Sequence, residues 1–211
     1  MSNTGRLVCV SGQIGAGKST LVHALATELG FEALPEREAD NPYLKRYYED
    51  PGAWAFKSFL FFLEQSLGDY LHARRDSRGA VQERPPHEHL EVFGREFHAQ
   101  GYLTDDDLAL FERLTRTTMG DVAAPELLVH LEVSAETALA RMGQRAREAE
   151  RGVSLEYLRK LELRYVEFVE TWDLCPVLRI DTDRIDLRTP TAVRSVGEEA
   201  IEILSPEDEP A

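Results

Sequence analysis

An apolar run, Leu7-Val8-Cys9-Val10-Ser11, leads straight into Gly12-Gln13-Ile14-Gly15-Ala16-Gly17-Lys18-Ser19-Thr20, and no other stretch constrains the fold as tightly. The run is β-prone and long enough for one buried strand. Gly-x-x-x-x-Gly-Lys-Ser followed by Leu21 to Leu29 is the pattern of a phosphate-binding loop that opens a helix. A polyphosphate must be met by several backbone N–H groups at once, and side chains at Gly12, Gly15 and Gly17 would block that approach. Lys18 adds a point charge and the helix N-terminus a partial positive charge, while the Ser19 hydroxyl is placed to complete a Mg²⁺ shell.

A strand of this kind needs parallel neighbours, and the rest of the chain supplies them. Short apolar runs at Phe31 to Leu34, Ala80 to Gln82, Glu126 to Val133 and Val177 to Ile180 read as strands. Between them lie helical segments: one starting at Asn41-Pro42, a long one from Trp54 to about Arg75, and two over about Glu88 to Gln100 and Asp105 to Met119, with Thr104 as an N-cap. Ser134-x-x-Thr137 opens another helix, Leu155 to Trp172 is helical again, and a last helix runs from about Pro190 to Leu204. The βα alternation predicts an α/β fold, a parallel five-stranded sheet with helices on both faces, formed by one domain over residues 1–204. The acidic remainder, 205–211, is too polar to pack and is expected to be disordered.

The 211 residues suffice for one core, and a formal charge of −14 argues against a nucleic-acid surface, which demands clustered Lys and Arg. Cys9 and Cys175 form neither a disulfide framework nor a metal spacing, which fits a reducing cytoplasm. No run of eighteen apolar residues predicts a membrane span.

In parallel α/β sheets ligands bind beyond the carboxyl ends of the strands. Three predicted strand ends carry polar groups: the phosphate loop, Glu36 after the second strand, and Glu83-Arg84 after the third. A carboxylate there can activate an acceptor hydroxyl or organise Mg²⁺, and an arginine can neutralise a transferring phosphoryl group. Arg141, Arg145 and Arg147 follow at the end of a helix and are expected to form a lid, about residues 141–152, that closes over ATP and excludes water. His87-Glu88-His89 is not read as a metal site, because residues two apart on a helix do not share a face.

Taken in order, these residues resemble the deoxynucleoside kinase family, most closely its bacterial deoxyadenosine/deoxyguanosine branch. The resemblance spans nearly the whole chain. It rests on the Gly-x-Ile-Gly-Ala-Gly-Lys-Ser-Thr loop, Glu36 with Asp40-Asn41-Pro42-Tyr43, Tyr47-Tyr48-Glu49-Asp50 before a Trp-x-Phe helix, Glu83-Arg84, Arg141-x-x-x-Arg145-x-Arg147, and Gly152-Val153-x-Leu155-Glu156-Tyr157-Leu158. It implies a P-loop kinase fold and ATP-dependent phosphorylation of a deoxynucleoside 5′-hydroxyl with Mg²⁺, in nucleotide salvage. Glu36 would be the general base, Arg84 would bind near the hydroxyl and the phosphates, and Glu83 would join Ser19 around the metal. Tyr48 and Glu150 would hold the 3′-hydroxyl, and the loop Asp181 to Asp186, with Asp183 and Arg184, would lie against the adenine of ATP. A homodimer is also implied.

Two positions depart from the family's pattern, both where the base is read. Phe59 stands eleven residues after Tyr48, where members often have a base-binding Gln, and His89 stands six residues after Glu83, where an acidic residue is common. Which base is accepted is therefore left open between adenine and guanine. A kinase of another small hydroxyl and a non-catalytic ATP-binding regulator are the alternatives. The regulator would need neither Glu36, Glu83 and Arg84 nor the lid arginines.

Overall fold

Alternation along the first strand sets the layers. In the computed structural model, which describes residues 5–76, 78–145 and 152–205, β1 (Leu7–Gly12) is buried along its whole length. Val8 and Val10 join the apolar cluster on one face of the sheet, and Leu7 and Cys9 join the cluster on the other, because successive side chains of a strand point to opposite faces. A strand buried on both faces belongs in the middle of a covered parallel sheet.

The sheet is as the alternation predicts. β2 (Glu32–Leu34), β3 (Ala80–Glu83), β4 (Leu127–Glu132) and β5 (Val177–Asp181) join β1 in the order β2-β3-β1-β4-β5, all parallel. The register sets Val10 beside both Glu83 and Val129, and Gly12 beside Leu131. The phosphate loop and Glu83-Arg84 therefore leave the same edge of the sheet, at its centre.

One face is covered by α1 (Lys18–Leu29), α7 (Ala135–Arg145) and α9 (Pro190–Leu204), which contribute Leu21, Leu25, Ala138, Met142 and Val196. The other is covered by α3 (Pro51–Arg75) and α8 (Leu155–Glu170) through Tyr70, Ala73, Leu161 and Phe168. Burying each large aliphatic side chain is worth about 1.5–3 kcal/mol. A third cluster joins α3 to α5 (Arg95–Ala99) and α6 (Asp105–Met119) through Phe59, Leu63, Phe97 and Phe111.

Helix starts follow local capping chemistry. Thr104 caps α6 by a reciprocal box with Asp107, and Asp50 caps α3 by accepting from the Ala53 N–H at 3.2 Å. Three helix starts differ from the sequence expectation, the first being α3, which begins at Pro51 rather than Trp54 because Asp50 caps it and Pro51 suits the first turn. The Asn41 side chain accepts from the Tyr43 N–H at 2.9 Å, a local turn that delays the next helix, α2, to Leu44–Glu49. The helix expected from Glu88 begins with α4 (Pro86–Glu88), since Pro85 is extended and Pro86 suits a first turn. It then widens into a π-helical segment, His89–Gly94, before α5. Gly94 permits this close packing, as a Cβ there would lie 3.2 Å from Phe59 Cζ.

Of the arginine-bearing segment expected at about 141–152, Arg141 and Arg145 belong to α7, whereas Arg147 and Glu150 lie outside the described residues. The tail expected over 205–211 is described only at Ser205. Among the described residues, no helix is long and apolar enough to cross a membrane.

Candidate active site

The phosphate end of the site is a product of backbone conformation. Gly15 has φ 83°, and a Cβ on it would sit 2.9 Å from the Ala138 carbonyl oxygen, so both its conformation and its surroundings require glycine. Gly12, Gln13, Ile14, Ala16 and Gly17 complete the turn, and Ser19 and Thr20 stand exposed on the first turn of α1. Lys18 is buried, and its Nζ donates to the Gln13 carbonyl at 3.1 Å and lies 3.9 Å from Glu83 Oε1. Burial, with Arg84 adding to it and Glu83 opposing, lowers its pKa to about 8.

Beside the loop the three strand ends meet. Glu83 accepts from the Ser19 hydroxyl at 3.2 Å and, through its other oxygen, from the Glu36 N–H at 3.2 Å. Glu36 Oε1 lies 2.9 Å from Arg84 Nε and 3.7 Å from His89 Nε2. Arg84 has φ 54°, a left-handed conformation uncommon outside glycine and of the kind that persists where the surroundings over-determine it. Its N–H donates to the Val10 carbonyl at 2.9 Å and its own carbonyl accepts from the Ser66 hydroxyl at 2.8 Å. Ser19 and Glu83 offer hard oxygen donors that meet beside Lys18, a donor set that fits Mg²⁺ shared with phosphate oxygens.

From this cluster a cavity of about 290 Å³ runs between α2, α3, the π-helical segment and α8. Glu36, Arg84, Lys18 and Ser19 form its polar end; Tyr47, Tyr48, Phe62, Phe93 and Tyr157 line its length. His89 stacks on Phe62 with centroids 6.0 Å apart and planes 13° from parallel. Burial first, then Arg84 and Lys18, hold its pKa well below the ordinary histidine value, so the ring is neutral near pH 7. Phe59 reaches the cavity as a wall: it is 2% exposed, and its ring packs on Phe111 at 4.6 Å and Phe97 at 6.2 Å.

The remaining expected residues divide. Arg145 lines the cavity. Arg141 does not; it donates to the Gly15 carbonyl at 3.4 Å and to the Thr182 carbonyl at 2.5 Å, tying the phosphate loop to the loop after β5. On that loop Asp183 accepts from the Ser134 N–H at 3.2 Å, and Arg184 pairs with Asp181 at 3.1 Å and points outward. The His87-Glu88-His89 triplet points three ways: His87 packs among Tyr70 and Trp172, Glu88 turns to Arg84, and His89 faces the cavity. Phe93, Phe97 and Tyr165, and Glu88 in its contact with Arg84, are not singled out by the sequence. Only Glu88 carried a local signal, standing four residues after Arg84 at the start of a helix.

Residues 8–202 match the deoxynucleoside kinase family model. The chain is 35% identical over 178 residues to a deoxyadenosine kinase of Dictyostelium discoideum, covering 84% of this chain and 72% of the relative. It is 31% identical over 185 residues to a deoxyadenosine/deoxycytidine kinase of Bacillus subtilis, covering 86% and 84%. Among solved structures, deoxyadenosine kinase from M. mycoides with bound dATP superposes with a TM-score of 0.79 at 23% identity, over 92% of this chain and 99% of that one.

Proposed function

The chain belongs to the deoxynucleoside kinase family, and from that premise we propose that it transfers the γ-phosphoryl group of ATP to the 5′-hydroxyl of a purine deoxynucleoside, in nucleotide salvage. The observation that carries this reading is the meeting of Glu36, Arg84 and Glu83 with Lys18 and Ser19 at one end of an aromatic cavity. The D. discoideum relative is named for deoxyadenosine and the B. subtilis relative for deoxyadenosine and deoxycytidine, and the nucleoside common to both stands first among the candidates.

Glu36 takes the proton of the 5′-hydroxyl as its oxygen bonds to the γ-phosphorus and the bond to the ADP oxygen breaks. Arg84, whose Nε lies 2.9 Å from Glu36, lies where charge develops on the transferring group. Lys18 and the loop N–H groups hold the β- and γ-phosphates. Ser19 and Glu83 would hold Mg²⁺, which when bound neutralises phosphate charge. Arg145 and Arg147 act as the lid, with Arg141 anchoring its base on the phosphate loop; Tyr48 and Glu150 hold the 3′-hydroxyl, and Asp183 and Arg184 flank the adenine of ATP. The active form is a homodimer.

Beyond this polar end the base slides between aromatic walls, and a neutral His89, whose Nε2 lies 3.7 Å from Glu36, stands where those walls meet the catalytic end. Incubating the protein with labelled ATP and deoxyadenosine, deoxyguanosine, deoxycytidine, thymidine, the ribonucleosides or water alone tests the reading. Labelled deoxyadenosine 5′-monophosphate at the highest rate is expected. Labelled phosphate alone, or no product with any nucleoside, would overturn it.

A further inference from the structure

The turn before α2 carries a side chain whose orientation is fixed. The Tyr43 N–H can only donate, so the Asn41 atom that meets it at 2.9 Å is the amide oxygen, and the amide nitrogen is turned the other way. There it donates to the Ser58 carbonyl at 3.2 Å and to the Ser58 hydroxyl at 3.1 Å. Both residues are buried, Asn41 at 6% and Ser58 at 2% exposed. Ser58 belongs to α3 and lines the cavity beside Phe59 and, one turn on, Phe62.

A hydroxyl that receives an N–H spends a lone pair on it and must aim its own proton elsewhere. Inside a helix the usual acceptor is the carbonyl four residues back, as in α1, where the Thr27 hydroxyl donates to the His23 carbonyl at 2.9 Å. Ser58 makes no such bond: among the described residues its proton has no acceptor. A buried donor left without an acceptor is costly, and one that lines a cavity walled by aromatic rings points to an acceptor brought by the ligand. We infer that Ser58 is a specificity residue whose hydroxyl donates to a ring nitrogen of the nucleobase, and that Asn41 is the positioning residue that keeps it a donor. This rests on the reading of the cavity as the deoxynucleoside site. It also supplies a polar contact to a wall where Phe59 offers none. Adenine presents N1, N3 and N7 as ring acceptors, and a single O–H serves one of them at a time.

The test compares kcat/KM for deoxyadenosine with that for its 1-deaza, 3-deaza and 7-deaza analogues, each of which replaces one acceptor nitrogen by C–H. In the parent protein the analogue lacking the bonded nitrogen should be poorer by about three- to tenfold, the range of one neutral hydrogen bond. Ser58→Ala should lose that same factor with deoxyadenosine and with the other two analogues, and nothing further with that one. Asn41→Asp keeps the oxygen that accepts from Tyr43 but replaces the donor by an acceptor, so the Ser58 proton turns to the carboxylate and leaves the base. It should reproduce the Ser58→Ala pattern, whereas Ser58→Thr, which keeps a hydroxyl, should retain the parent pattern. A general loosening of α3 lowers all four compounds together and singles out none, and Ser58→Ala serves should Asn41→Asp fail to fold. Unchanged kcat/KM in Ser58→Ala, or an equal loss with all four compounds, overturns the inference, while phosphorylation of deoxynucleosides by the parent leaves the proposed function standing. A parent pattern in a folded Asn41→Asp overturns the role of Asn41. A parent protein that phosphorylates no nucleoside overturns both the inference and the proposed function.

Discussion

The two ends of the cavity are built by different means. The phosphate end comes from one unbroken stretch, Gly12 to Thr20, whose chemistry resides in backbone N–H groups and in glycines that allow them to converge. The nucleoside end comes from side chains of α2, α3, the π-helical segment and α8, brought together only by packing. A contiguous backbone cradle tolerates few residue types at each position, whereas a side-chain wall can be made of any shapes that fill it. It follows that changes at the first end should affect every acceptor alike and changes at the second should affect the ranking of acceptors.

The largest effect expected on that basis is at Lys18. Lys18→Ala removes the charge from the phosphates and should lower kcat/KM by roughly 10²-fold or more for every nucleoside, with their order kept. Steady-state kinetics over the nucleoside panel decides this. A loss confined to one base would dissolve the division between the two ends.

Phe59→Gln probes the other end. An amide facing a base leaves its donor and acceptor unpaired against the wrong one, a penalty of about 1–3 kcal/mol, on the order of five- to a hundredfold in relative kcat/KM. Phe59 forms a wall packed on Phe97 and Phe111, so the substitution should also loosen that cluster. Relative kcat/KM among bases should shift while the ATP KM holds. An unchanged ranking would mean that Phe59 serves the core alone.

The same division explains what was legible in the sequence. The five strands and their βα order could be read because each is a short apolar run between helical periods, and Glu36, Glu83 and Arg84 could be found because they follow strand ends. The contacts of Arg84 with Glu88 and Tyr165 could not. Tyr165 lies 81 residues away on a helix whose apolar stripe gives no reason to single it out, and the packing of α8 against the π-helical segment brings its hydroxyl to the guanidinium. Likewise the π-helical turn that carries His89 and Phe93 to the cavity packs Gly94 against Phe59, a tertiary contact without a local pattern.

A smaller effect sharpens the phosphate end. With a pKa of about 8 in the unliganded protein, Lys18 is largely charged at pH 7 and largely neutral at pH 9. Phosphate oxygens favour the ammonium, so nucleotide binding raises that pKa and takes up a proton above pH 8. ATP affinity should weaken by a few-fold, at most about tenfold per pH unit, as pH rises past 8. Titration calorimetry at pH 8.5 in two buffers of different ionisation heat should show proton uptake, absent in Lys18→Arg. Equal heats in the parent protein would refute the lowered pKa.

The smallest effect separates two imidazoles on one helical run. His89 faces the cavity, but His87 lies between Tyr70 and Trp172 with a buried Nδ1 that has no partner among the described residues. Burial lowers the His87 pKa to about 4 from an ordinary value near 6.5. The unfolded chain therefore binds this proton more readily than the folded one between pH 6.5 and 4, and stability is lost as pH falls through that window. His87→Phe retains an aromatic ring, removes the unpaired nitrogen and removes this term. It should add about 1 kcal/mol or less at pH 7 and about 1–2 kcal/mol near pH 5, with His89 and His130, both also lowered by burial, contributing to the slope that remains. Urea unfolding at the two pH values measures it, and nucleoside kinetics should not change. A variant that altered the base ranking would show that the wall of the cavity extends to His87, and the boundary between site and core on this helix would have to be redrawn.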